Sequence, residues 1–195
     1  MRVQLLSLLA LPLLAFSASE EQVVLTNQKM DETYTPATNS QPTLADLLTI
    51  ESSASIFYSY AREVEISGLF ADPNTESTIL VPTNKAVMAL SHKPHEDPAP
   101  SDTGVIISEE EFDARSRKNV ERWVSAHIIP GSLTNLESRS YDTLLKDKPV
   151  TFKEIDSSAT EKWAHFLLNN NVHITSMKEA KNGVLYVIDG TVKLD

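Results

Sequence analysis

The apolar pattern of the chain changes period once, and that change limits the fold more than any other feature. Up to about Pro130 the apolar residues recur at helical spacing, apart from one short strand-like run, Ile79–Val81. From Val150 onward the texture is that of short strands: VTFKEI, AHFLLN, VHIT and VLYVID. Polar turns separate them, with Asn169-Asn170-Asn171 and Asn182-Gly183 as the clearest signals. Helices come first and strands follow, without the alternation that builds a parallel sheet. That order predicts an α+β domain. No internal repeat at a fixed period is present.

The helical half carries its own start and stop signals. TLADLL has Thr43 as a cap ahead of Leu44, Leu47 and Leu48, which share one face. In SASIFYSYAREVEISG, Ile56, Phe57, Tyr60 and Val64 fall at helical spacing, with Gly68 as the expected stop. LFADPNTES reads as a turn-rich link. Residues 91–107 hold three prolines and mixed charge and read as a long surface loop. Ser108 and Glu111 make a capping-box pattern ahead of Phe112. Asn119 is read as the cap of a further helix with Val120, Trp123, Val124 and His127 on its buried face, ended by Pro130-Gly131.

The corner Val81-Pro82-Thr83-Asn84 joins the early strand to a helix. Pro82 cannot donate to a sheet ladder and ends the strand. Thr83 can accept a free N–H at the helix start, and Asn84 can tie the corner to neighbouring backbone. Phosphate loops are glycine-rich and a nucleophile elbow needs Gly-x-Ser-x-Gly. Neither pattern is here, so the corner reads as structural.

The N-terminus has the layout of a signal peptide over residues 1–17: Arg2, the apolar run VQLLSLLALPLLAF, then Ala15-Phe16-Ser17 as the cleavage region. The run is shorter than the ~20 residues a spanning helix needs, the alternative being an uncleaved anchor. Residues 18–42 read as a flexible polar leader and 43–195 as the domain. The C-terminus GTVKLD carries no hydrophobic tail, so no stable membrane anchor is expected. The chain has no cysteine, which excludes disulfides, thiolate nucleophiles and Cys-ligated zinc. It has no Asn-x-Ser/Thr acceptor for glycosylation. Net charge is −10, which argues against binding nucleic acid or an anionic lipid surface through a basic face.

Several patterns imitate chemistry. Asp102-Thr103-Gly104 is the aspartic-protease triplet, but that reaction needs two carboxylates sharing a proton. It occurs once, in the Pro-rich loop. HKPHED places His92, His95, Glu96 and Asp97 within reach of one ion. Pro94 and the loop setting oppose a fixed geometry. His165 and His173 lie on adjoining candidate strands, without evidence that they face each other. No Ser, His and acid combination is marked by a motif. Glu109-Glu110-Glu111 reads as a solvated capping turn, where negative charge suits the helix dipole. Trp123 and Trp163 could stack on sugars, but read as core. No catalytic, cofactor-binding or metal-ligating residue is assigned.

Thr78–Leu90, TILVPTNKAVMAL, resembles the first signature of fasciclin-type domains, with Val87 where that family usually has Phe. VSAHIIPG, Val124–Gly131, resembles its central Tyr-His-hydrophobic element. YDTLLKDKPVTF resembles its Thr-Leu-x-Gly-x-Pro segment, and NGVLYVIDGTV, Asn182–Val192, its closing signature. TLADLL and GLF fit its first helices, so the likeness covers Thr43–Asp195. The resemblance implies a twisted β-sandwich or wedge flanked by several helices, and a non-catalytic binding or adhesion module with an unknown protein or glycan partner. Small single-domain members resembling this chain occur in fungi, which implies the vacuole lumen or secretion. His127 matches the family's central His. Ala126 stands in place of the Tyr, so the integrin-binding role of some animal members is not carried over. His127 is read as a partly buried histidine ending a helix. The alternative functions are a vacuolar lumenal protein with a housekeeping or hydrolytic role and a non-covalent cell-wall component.

Overall fold

The computed structural model describes residues 41–96, 108–155 and 158–194. Two neighbouring strands are buried at every position: β1, Ser77–Pro82, and β7, Gly183–Ile188. They pair in parallel, Ser77 with Gly183 through to Pro82 with Ile188. A strand buried on both faces has no solvent side to mark with polar residues, so its sequence is a continuous apolar run. Alternation then sorts the side chains. Ile79, Val81, Leu185 and Val187 enter one core, while Leu80, Val184, Tyr186 and Ile188 enter a second.

Helices close the first core: α1 (Leu44–Ile50), α2 (Ser55–Ala61), α3 (Gly68–Ala71), α4 (Asn84–Met88) and α5 (Glu109–Ser125). Leu44, Leu47, Leu48, Phe57, Phe70 and Trp123 meet the sheet there. The second core lies on the other face. It is covered by β3 (Ser140–Tyr141), β4 (Val150–Glu154) and β5 (Phe166–Leu168), which contribute Tyr141, Val150, Phe152 and Leu168. With β2 (Ile128–Pro130) and β6 (Val172–Ala180), the seven strands run in the order β2-β1-β7-β6-β5-β4-β3. The sheet folds over itself into a wedge with helices along one side, the expected α+β architecture.

Several boundaries differ from the sequence reading, each for a local reason. Gly68 does not stop a helix: its φ of −56° is ordinary helical backbone, and it opens α3. The preceding helix ends at Ala61, and Val64 reaches the core from an extended residue. Thus part of the LFADPNTES link, Leu69–Ala71, is helical. Asn119 caps nothing. It sits inside α5, whose single capping box is the expected Ser108–Glu111 pair, and its Nδ2 donates to the carbonyl of Glu96. That helix ends at Ser125, so Ile128–Pro130 is a strand rather than its last turn. Ala164 and His165 belong to a 3-10 turn that precedes β5. β6 runs on to Ala180, beyond VHIT, because Ser176–Ala180 keep pairing with β7, and a bulge between Ile174 and Ser176 breaks the alternation that would have marked them as strand.

Candidate functional site

The corner after β1 is assembled as its residues suggest. Thr83 Oγ1 accepts the N–H of Ala86 at 3.3 Å and caps α4. Asn84 Oδ1 accepts from the N–H of Ile56 at 2.9 Å, and its Nδ2 donates to the carbonyl of Ser52 at 2.9 Å. The amide thereby locks the start of α2 to the start of α4. Both polar atoms of the Asn84 side chain are thus engaged within the corner.

His127 occupies the junction of three segments. It follows α5, and its carbonyl accepts the N–H of Leu80 in β1 at 2.8 Å. Its ring is fully buried between Trp123 and Phe57, with centroids 4.7 and 5.7 Å away. The N–H of Val192 donates to Nε2 at 3.0 Å. Nε2 is therefore the unprotonated nitrogen, and Nδ1–H donates to the carbonyl of Trp123 at 2.7 Å. Burial pushes the pKa down to about 4, because no opposite charge compensates the lost hydration of an imidazolium. The ring is neutral near pH 7, saturated and dry. It is more deeply buried than the sequence reading held, and it cannot pass a proton to a substrate.

Asn182 makes a second internal clamp. It is fully buried in the turn between β6 and β7. Its Oδ1 accepts from Leu44 N–H at 2.9 Å, while Nδ2 donates to the carbonyls of Phe70 and Asp72 at 3.0 and 2.9 Å. Thr78 acts likewise, donating to the carbonyl of Gly131 at 2.7 Å and accepting from Leu133 N–H at 2.8 Å. Tyr186 OH donates to the carbonyl of Leu133 at 2.7 Å, and its burial raises the phenol pKa well above the ordinary value. Among the described residues, no buried side-chain nitrogen or oxygen lacks a partner.

The candidate ligating residues are dispersed. His95 Nδ1 meets Tyr60 OH at 3.0 Å, and its ring stacks on Tyr60. Exposed His92 contacts Ser91 instead. Asp97 and Asp102 fall outside the described residues. His165 Nε2 donates to the carbonyl of Ala159 at 2.9 Å. His173 pairs with Asp189 at 3.1 Å and stands opposite Leu167 in the sheet, so the two histidines do not face each other. Among the described residues, no three His, Asp or Glu side chains converge on one point. Glu109, Glu110 and Glu111 fill the first turn of α5, and Glu111 closes the capping box.

The two tryptophans part company. Trp123 is core, 4% exposed. Trp163 is half-buried and borders an open hollow of about 710 Å³ with Phe166, Met177, Glu154 and Glu179. A second concavity, a cleft of about 530 Å³, gathers Lys93, Arg122 and Lys193 from three distant segments. Sequence reasoning did not group these cations. Only folding brings them together, and no motif spans them.

A wedge of seven strands with helices on one side, pinned by internal amide and imidazole clamps, defines an α+β domain. The sequence model of the Fasciclin domain matches residues 52–193, and the chain belongs to that family. It is similar to FAS1 domain-containing proteins of Emericella nidulans (30% identical, covering 79% of this chain and 63% of the relative) and Aspergillus fumigatus (29%, 79% and 64%). A Saccharomyces cerevisiae FAS1 domain-containing protein is 28% identical over 76% of this chain and 61% of its own length. The chain thus spans somewhat under two thirds of these relatives. Among solved structures, a FAS1 domain pair from the insect cell adhesion molecule fasciclin I shares the fold. Its TM-score is 0.50 at 12% identity, covering 79% of this chain and 51% of that one. The family is associated with adhesion and is generally non-enzymatic. Its domains occur in secreted and extracellular proteins. Among the described residues no helix is long and apolar enough to cross a membrane.

Proposed function

We propose that this chain is a non-catalytic binding module of the secretory pathway. It enters behind the signal peptide of residues 1–17 and carries the 18–42 leader. It meets a protein or glycan partner in the vacuole lumen or outside the cell. The observation that carries this reading is the Fasciclin match over residues 52–193, in a family associated with adhesion. Two further observations support it. The solved relative in fold comes from a cell adhesion molecule. The buried His127 and Asn182 are committed to backbone partners, which leaves recognition to the surface. Recognition on such scaffolds falls to loops held by a rigid frame.

The test has two arms. The chain is tagged after Asp195 in its native cell, and medium, wall and vacuolar fractions are blotted. The expected result is a product cleaved close to Ser17 in one of those fractions. A cytosolic product that retains Met1 would overturn the secretory assignment. The purified protein is then assayed for retention on cell-surface and wall preparations. Reproducible peptide or glycan hydrolysis by that preparation would overturn the non-catalytic assignment.

A further inference from the structure

The cleft of about 530 Å³ lies between the turn after α4, the last turns of α5 and the segment 191–194. Its walls have two characters. Leu90, Trp123, Val192 and Leu194 provide an apolar lining. Lys93, Arg122 and Lys193 supply positive charge, and Glu96 is the one carboxylate among the lining residues. Glu96 already accepts the backbone N–H of Lys93 at 2.7 Å. The whole chain has 17 Lys and Arg against 27 Asp and Glu, so the cleft reverses the sign of the molecule that surrounds it. Arg122 and Lys193 are exposed, and among the described residues neither takes part in an ion pair.

The walls are also held in place. The buried His127 bridges two of them, from the carbonyl of Trp123 to the N–H of Val192. The third is fixed by Lys93 Nζ, which donates to the carbonyls of Met88 and Leu90 at 2.9 and 3.1 Å. It is fixed again by Asn119 Nδ2 on the carbonyl of Glu96, and by the contact of Tyr60 with His95. A concavity with fixed walls needs little ordering on binding, which favours affinity.

We propose that this cleft binds a small anionic amphiphile, an apolar body bearing one carboxylate. The size fits a small organic molecule rather than a chain segment of many residues. The apolar walls would bury an alkyl or aromatic body. The guanidinium of Arg122 and the ammonium of Lys193 would meet the carboxylate through charge-assisted hydrogen bonds. A bare inorganic anion would leave the apolar walls unused, and a polyanion would meet the repulsion of the acidic surface. The inference goes beyond the adhesion reading and does not depend on what the surface loops bind.

The experiment uses the full chain carrying Trp163→Phe, which leaves Trp123 as the sole tryptophan. Octanoate, octanol, octylamine and inorganic phosphate are titrated in turn at low salt. Tryptophan fluorescence and calorimetry are the readouts. The expected result is saturable one-site binding of octanoate, with octanol and octylamine weaker by about tenfold or more. The double variant Arg122→Gln, Lys193→Gln should weaken octanoate by about tenfold and leave circular dichroism unchanged, because both side chains are exposed. Added salt should weaken octanoate more than octanol. Octanol binding as tightly as octanoate, or an unaffected double variant, overturns the proposal. So does phosphate displacing octanoate at equal concentration, or the absence of saturation below the millimolar range. Saturable binding of an acidic peptide where octanoate fails also overturns it, in favour of a protein partner.

Discussion

Asn182 shows how much of this fold rests on single polar side chains. Its amide serves Leu44, Phe70 and Asp72 at once, from a fully buried position. Replacing it by Ala takes the acceptor from the buried Leu44 N–H and a donor from the carbonyls of Leu69, Phe70 and Asp72. Asn182→Ala should therefore lower unfolding stability by roughly 3 kcal/mol, measured by urea titration. A loss below the experimental error would show that water replaces the amide without cost. His127 gives a pH signature instead. Its folded pKa of about 4 lies below the 6.5 of an unfolded histidine, so between these values the unfolded chain binds more protons. Stability from this group is complete above pH 6.5 and falls away toward pH 4, by about 3 kcal/mol in total. The stability gap between the native protein and His127→Gln should thus narrow as pH drops from 7 to 4.5. A gap that stays constant would mean that the buried ring takes up its proton as readily as a free one. Residues with local partners were legible in the sequence: Thr83 caps Ala86 three positions on, and Ser108 caps Glu111. Asn182 was legible only as a turn former, because its clamp partners are 110 or more positions away. The burial of His127 was underestimated for the same reason: Val192 is 65 positions distant.

At the scale of elements, strand pairing sets constraints that a turn signal understates. Asn182-Gly183 reads as a hairpin turn, yet Gly183 is the first residue of β7 and faces Ser77 of β1. Its φ is +143°, and a Cβ there would lie 1.8 Å from the carbonyl oxygen of Ser77. Gly183→Ala must push two parallel strands apart where their ladder begins. The expected loss is roughly 4 kcal/mol or more, read as collapse of soluble yield or of the urea midpoint. Gly131→Ala is the contrasting case. Its φ is +89° but its surroundings are open, so only backbone strain of about 1–2 kcal/mol is expected. Equal losses at the two sites would show that the close approach to Ser77 is not what makes Gly183 necessary. Helix type was legible where the period ran for several residues, as in α5, and strand type where a short apolar run met a turn signal, as in β1 and β7. They failed where an element was too short to show a period, as in β2 and β3, and β6 was legible as a strand only over VHIT, up to its bulge.

The whole molecule is organised around its last strand. β7 lies between β1 and β6, so it joins the β2-β1 pair to the β6-β5-β4-β3 strands only after the rest of the sheet's strands are available. Its side chains enter both cores: Leu185 and Val187 on the helical side, Val184, Tyr186 and Ile188 on the other. Removing it would leave the two cores facing water and would unpair both β1 and β6. A chain ending at Ala180 should therefore show no cooperative urea transition and should expose apolar surface to a hydrophobic dye. Truncation before Lys193 is milder, since it spares β7 and keeps Val192, whose N–H satisfies His127. That shorter chain should still unfold in one transition. If the chain ending at Ala180 retained a cooperative transition near the native midpoint, the helices and the β3–β5 layer would be folding as separate units. The parallel pairing of β1 with β7, about a hundred residues apart in sequence, would then be an attachment between them rather than the step that completes both cores.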